Sequence, residues 1–179
     1  MNKLLIILLS SVLLVQANSK TGQAVQYASQ SSLGKSTSTA YTTASSCYCY
    51  DSDTIGKQAL TLTNNFRKKN GKPALVWSQH ISNLAKIHSQ NMGTGQVPFG
   101  HSGFSCRVSC FIRTAKSAGE NVFETSNATA ANIAQQAVNA WIASPSHRAN
   151  LLGNFNSCGI AVFRTDAGVW YATQTFALF

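Results

Sequence analysis

The chain has 179 residues, 44% of them hydrophobic and only 11% charged, and its 14 Lys and Arg against 5 Asp and Glu leave a formal charge of +9. That length holds one globular domain with appendages. So few carboxylates count against a two-carboxylate glycosidase. The scattered cations, densest at Arg67, Lys68, Lys69 and Lys72, suit a solvated helix end better than a nucleic-acid patch, so no nucleic-acid partner is expected.

Residues 1–17 read as a secretory signal: Lys3 precedes an apolar run from Leu4 to Val15, and Val15-Gln16-Ala17 is a small-residue cleavage site. The run is too short to span a membrane. A secreted, extracellular protein without a transmembrane helix is expected. Residues 18–50 read as a flexible spacer, with 13 Ser or Thr among residues 18–46 and no acidic residue there. The folded domain is expected over 51–179. Five cysteines at 47, 49, 106, 110 and 158 predict disulfide bonds in an oxidising compartment, with connectivity open.

In chain order, Asp53–Asn70 reads as a helix with Ile55, Ala59, Leu62 and Phe66 on one face, stopped by Gly71 and Pro73. Ala74–Trp77 is extended. Ser78 caps a second helix whose apolar face is Ile81, Leu84, Ala85, His88 and Met92. Residues 93–119 read as a loop. Thr129 is expected to cap a third helix facing the core with Ile133, Ala137, Val138 and Trp141. The stretch Ser144–Gly153 reads as a short helix: Ser144 as N-cap, Pro145 at the first position, Gly153 as the left-handed closing residue. Cys158–Arg164 and Val169–Leu178 form a C-terminal hairpin around the turn Thr165-Asp166-Ala167-Gly168. Leu62, Phe66, Leu84, Trp141, Ile160 and Val162 are expected in the core.

Four histidines are available for chemistry, at 80, 88, 101 and 147. His80 and His88 lie eight residues apart on one helix, about 12 Å along its axis, and cannot share an ion. His88, on the apolar stripe, reads as a hydrogen-bonded core residue. His101 sits in a loop with glycines on both sides. His147 falls in the first turn of its helix, where the dipole favours a neutral ring able to bind metal or accept a proton. Among the carboxylates, Asp166 suits a turn and Glu124 suits a helix approach, but Glu120 has no such local explanation. His101, Glu120 and His147 would suit Zn²⁺ with an open position if they converge. The same three could equally form a hydrogen-bonded junction that braces the loops.

Several pieces then resemble the CAP superfamily of cysteine-rich secretory, antigen 5 and pathogenesis-related 1 proteins, in that family's order. They are Leu60-x3-Asn64-x2-Arg67, Pro73-Ala74-Leu75-Val76-Trp77, Leu84-Ala85 through His88-Ser89-x2-Met92, Phe99-Gly100-His101, Gly119-Glu120-Asn121-Val122, the run from Trp141 through Ser144-Pro145-Ser146-His147-Arg148-x-Asn150-Leu151-Leu152, and Trp170 through Gln174-x-Phe176. Together they cover residues 54–179. The resemblance implies an α+β fold, a three-layer α-β-α sandwich with a small central antiparallel sheet. It also implies a cleft with two His and two acidic residues that bind a divalent metal in some members. His101 and Glu120 match one of each. The second acidic position is Ser144 here and the second His position is Tyr171, while His147 is placed to supply the second imidazole. Ser144, Tyr171 and Gln174 are expected on the cleft rim. No cofactor beyond Zn²⁺ or another divalent metal is implied.

These readings point to an extracellular binding protein rather than an enzyme. The resemblance implies lipid or sterol ligands and defence or signalling roles, and the charge suggests an anionic surface as partner. The alternative is a hydrolase using Glu120 as general base with His101 or His147, or a zinc-bound water.

Overall fold

The computed structural model of the protein describes residues 15–16, 50–111 and 114–179. The expected signal before residue 15, the spacer up to residue 49, and the Cys47-x-Cys49 pair lie outside the described residues, as does the side chain of Cys110. The Tyr50 ring meets Trp170 edge-on with centroids 4.9 Å apart.

Helix α1 spans Ser52–Lys69 and is capped by Asp51, whose carboxylate accepts from Asp53 N–H at 3.0 Å. Strand β2 is Val76–Trp77, and α2 is Gln79–Gly93 with Ser78 as N-cap. Next come α3, Phe104–Phe111, and β3, Ser117–Thr125. Helix α4 is Ile133–Ala143 and α5 is Pro145–Leu151. Strands β4, Ser157–Arg164, and β5, Trp170–Leu178, form the expected hairpin. The two-residue segment β1, Val15–Gln16, joins the sheet edge, giving the order β1-β3-β5-β4-β2. The β3-β5-β4 core is antiparallel; β2 pairs with β4 in parallel, a departure from a purely antiparallel sheet.

The sheet lies between two helical layers, as the resemblance implied. Ile81 and Leu84 of α2 and Phe104 and Val108 of α3 pack with Ala177 and Ala118 on one face. On the other face α1, α4 and α5 bury Ile55, Ala137, Trp141 and Leu151 against Ile160, Val162 and Phe176. Both layers approach β4 closely. A Cβ on Gly159 would fall 2.1 Å from the Ser82 backbone nitrogen of α2, and one on Gly56 of α1 would fall 2.1 Å from the Ile160 carbonyl oxygen.

Several local expectations need correction. The buried stripe of α1 is Ile55, Ala59, Leu60, Thr63 and Arg67, and Leu62 and Phe66 are only half-buried. Two polar residues, Thr63 and Arg67, take the inward positions because buried partners await them there: the Gln174 amide donates to Thr63 Oγ1, and backbone carbonyls such as that of Leu151 accept from Arg67. Thr129 opens a turn, but α4 starts four residues later behind Asn132. The Ser144 hydroxyl does not cap α5; it meets Ser146 Oγ at 3.2 Å, while the Ser144 N–H closes α4 on Ala140. Gly153 does not adopt a left-handed backbone conformation. It is glycine for space: a Cβ there would fall 2.5 Å from the Phe155 ring. Cys158 is a fully buried free thiol, pushed up to about 12 by desolvation, so the disulfide expectation does not extend to it. Among the described residues no helix is long and apolar enough to cross a membrane.

Candidate functional site

The region read as a loop contains two elements that build the site. Phe104 and Val108, one turn apart on α3, are buried and pack with Ala118 on β3. Residues 118 and 120 share a strand face, so docking α3 on Ala118 carries Arg107 to Glu120. Arg107 Nη2 donates to Glu120 Oε1 and Oε2, both at 2.8 Å. Arg107 Nη1 donates to the Ser102 carbonyl at 2.7 Å. The loop ahead of α3 supplies His101, whose Nδ1 lies 3.1 Å from Glu120 Oε1. A carboxylate only accepts, so Nδ1 carries the hydrogen and Nε2 is left for solvent or ligand. Gly100 and Gly103, with φ of 144° and 75°, give the loop its path.

Beneath this lies His88 of α2. Its Nε2 donates to the Gly100 carbonyl at 2.7 Å and stands 3.8 Å from Glu120 Oε1. His88 therefore holds the loop that presents His101, in keeping with its reading as a hydrogen-bonded core residue. Thr175, opposite Glu120 on β5, donates to Glu120 Oε2 at 3.4 Å. Burial pushes the Glu120 carboxyl up, but the hydrogen bond from His101 and the charge of Arg107 outweigh it and hold the group below its usual range. Burial lowers His88 despite the nearby carboxylate. His147 is lowered chiefly by burial. His88 Nδ1 and Arg107 Nε are buried without a hydrogen-bond partner among the described residues.

The other face of β3 is joined by neutral amides. Asn150 of α5 donates to the Glu120 carbonyl at 3.1 Å and to Asn121 Oδ1 at 2.9 Å. Asn121 donates to the His147 carbonyl at 3.2 Å and to Gln174 Oε1 at 3.3 Å, and Gln174 donates to Thr63 Oγ1 at 3.1 Å. Gly119 leaves room for this: a Cβ there would lie 3.1 Å from both Asn150 Oδ1 and the Phe155 ring. The Gly-Glu-Asn run thus has a division of labour. Glycine admits α5, glutamate enters the cleft, and asparagine fixes the turn carrying His147.

Of the residues singled out by sequence, His101 and Glu120 are in direct contact, and the turn carrying His147 is tied to Asn121, the residue after Glu120, through the His147 carbonyl. Tyr171 lies on the Glu120 face, four register positions toward the other end of the pair, and its ring is 6.4 Å from that of Phe99 in the His101 loop. Ser144 is half-buried at the α4–α5 junction. Gln174 is not on a rim; it is fully buried on the opposite face with Asn121 and Thr63. Arg107 and Thr175 were missed. The available signal for Arg107 was its position between Phe104 and Val108, an apolar pair at helical spacing.

The model of the CAP, cysteine-rich secretory protein, family matches residues 60–176, more than half of the chain. The chain belongs to this family. Among solved structures, an extracellular protein containing an SCP domain from Bacillus anthracis is 25% identical, with a TM-score of 0.60, over 72% of this chain and 41% of that one. A cysteine-rich secretory protein from Staphylococcus aureus is 20% identical, with a TM-score of 0.58, over 73% of this chain and 41% of that one. An outer surface protein from Borrelia burgdorferi is 19% identical, with a TM-score of 0.56, over 68% of this chain and 90% of that one. The last two share the fold. The chain thus spans 41% of the length of the Bacillus and Staphylococcus proteins. No curated protein matches it.

The CAP cleft is where a divalent metal was expected. The donor set as arranged does not suit one. Both Glu120 oxygens already accept from a guanidinium, and the His101 nitrogen nearest the carboxylate carries hydrogen. Zinc sites draw three or four protein ligands with free lone pairs. Here the lone pairs left to ligands are imidazole ones.

Proposed function

We propose that this CAP-domain protein is secreted and acts outside the cell as a binding module, not as a hydrolase. One observation carries the reading: Glu120, the carboxylate beside an imidazole in the cleft, accepts from Arg107 with both oxygens and from His101 besides. A general base needs a free lone pair and a pKa near the working pH. Glu120 is held below its usual range and faces permanent donors. Its role in this reading is to hold His101 in one tautomer and one orientation.

What the module meets is read from charge. Lys68, Lys69, Lys72, Lys86, Lys116 and Arg148 are exposed, and Glu120 is neutralised internally. The protein accordingly favours an anionic surface, such as a membrane rich in acidic lipid. The test is co-sedimentation of the full secreted protein with phosphatidylserine-containing and pure phosphatidylcholine vesicles. Binding to the first, weakening at high salt as screening shortens from about 10 Å to about 3 Å, is expected. Peptide or ester hydrolysis that disappears in Glu120→Gln would overturn the reading.

A further inference from the structure

The Arg107 guanidinium is enclosed by oxygens. Glu120 Oε1, Glu120 Oε2 and the Ser102 carbonyl oxygen all accept from it, at 2.8, 2.8 and 2.7 Å. The Glu120 side chain is 1% exposed and that of Arg107 13%. The two carboxylate oxygens meet Nη2 and the carbonyl meets Nη1; a carboxylate and a carbonyl gathered round one cationic group form a donor set of the kind hard cations use. In this chain a guanidinium occupies that place. An arginine cannot shed its charge at any ordinary pH. It is also tethered, so its effective concentration at the carboxylate exceeds that of any free ion in the medium. An added divalent ion would face the guanidinium at close range in a cluster where His101 and Arg107 already share Glu120 Oε1.

We propose that Arg107 is the resident cation of this CAP cleft: its guanidinium replaces a divalent ion, so the cleft is organised without metal, and removing it uncovers a metal site. That site consists of the two Glu120 oxygens and the Ser102 carbonyl oxygen, with the His101 imidazole beside them. The docking of α3 on Ala118 is what delivers Arg107 there, so the replacement is a property of that short helix. The inference shares the Arg107–Glu120 contact with the binding reading but concerns metal alone. Failure to bind vesicles would leave it standing.

The experiment is Zn²⁺ titration of the full secreted protein by calorimetry at neutral pH, for wild type, Arg107→Ala and Arg107→Ala/Glu120→Gln. Arg107→Ala should bind one equivalent at least tenfold more tightly than wild type, and the double variant should lose that gain, which separates the cleft from zinc bound at exposed His80. Arg107→Gln keeps an amide donor on the carboxylate without the charge and serves as the milder variant if Arg107→Ala does not fold. Independently, the His101 ring resonances of wild type should not move with equimolar Zn²⁺. Wild-type binding equal to or tighter than that of the variants, a gain insensitive to Glu120→Gln, or a stoichiometric shift of His101 in wild type would each overturn the proposal.

Discussion

Glu120 and Asn121 are neighbours on β3, and their side chains leave it on opposite faces. Glu120 enters a cluster of charge: one carboxylate, one guanidinium and two imidazoles, with His101 and Arg107 reaching partial solvent exposure. Asn121 enters a neutral network of amides and a hydroxyl, with Asn150, Gln174 and Thr63, all at most 4% exposed. The same strand needs both. The amide side is saturated and rigid, because each unmade hydrogen bond there would leave a buried group unsatisfied. The charged side is held in place by that rigidity yet keeps one imidazole nitrogen for a ligand. A site that must meet solvent is thus built on the back of one that never does.

That contrast can be broken from the buried side first. Arg67 is 1% exposed and donates to the carbonyls of Pro73, Leu151, Gly153 and Phe155, tying α1 to the end of α5. Arg67→Ala should cost about 3–5 kcal/mol in urea unfolding, because the buried acceptors lose their charged donor. Trp141→Ala should cost a similar ~3–5 kcal/mol, since the ring is fully buried and its Nε1 donates to the Val122 carbonyl. A loss under about 1 kcal/mol in either variant would place the side chain outside the core.

Within the amide network, Asn150→Ala should cost about 2 kcal/mol and Asn121→Ala a similar amount, and the double variant should cost clearly less than their sum because the two share a bond. Additive losses would show that the network does not act as a unit.

The charged face should show itself through pH. His88 and His147 are lowered in the folded protein from an ordinary 6.5, and Glu120 from 4.5. For each, the unfolded chain binds the proton first on acidification, so stability is lost as pH falls. The histidines act from about pH 6.5 downward, and Glu120 below 4.5 through its folded value. Urea midpoints should therefore decline from near neutrality, and His88→Gln should flatten the upper part of that decline. A midpoint flat to pH 4.5 would contradict the burial of His88.

The smallest effect is expected at the exposed end. His101→Ala should change stability by about 1 kcal/mol or less, since its ring is partly exposed and Arg107 still satisfies Glu120. A larger loss would make His101 part of the frame rather than of the cleft.

Sequence alone determined what depends on local pattern. The faces of α2 and α4, the Ser78 cap, the hairpin and its turn, and the pairing of His101 with Glu120 through the family resemblance were all legible. Elements that take their character from partners distant in the chain were not. β3 is buried on both faces by polar contacts, so Glu120 and Asn121 give no apolar alternation to read. The eight residues of α3 are too few for a strong helical period, and only its seat on Ala118 makes it a helix worth having. The inward turn of Thr63 and Arg67, the burial of Gln174 and the capture of Glu120 by Arg107 were likewise decided in three dimensions. A polar side chain is buried only where its acceptors or donors already wait, and tertiary packing alone puts them there.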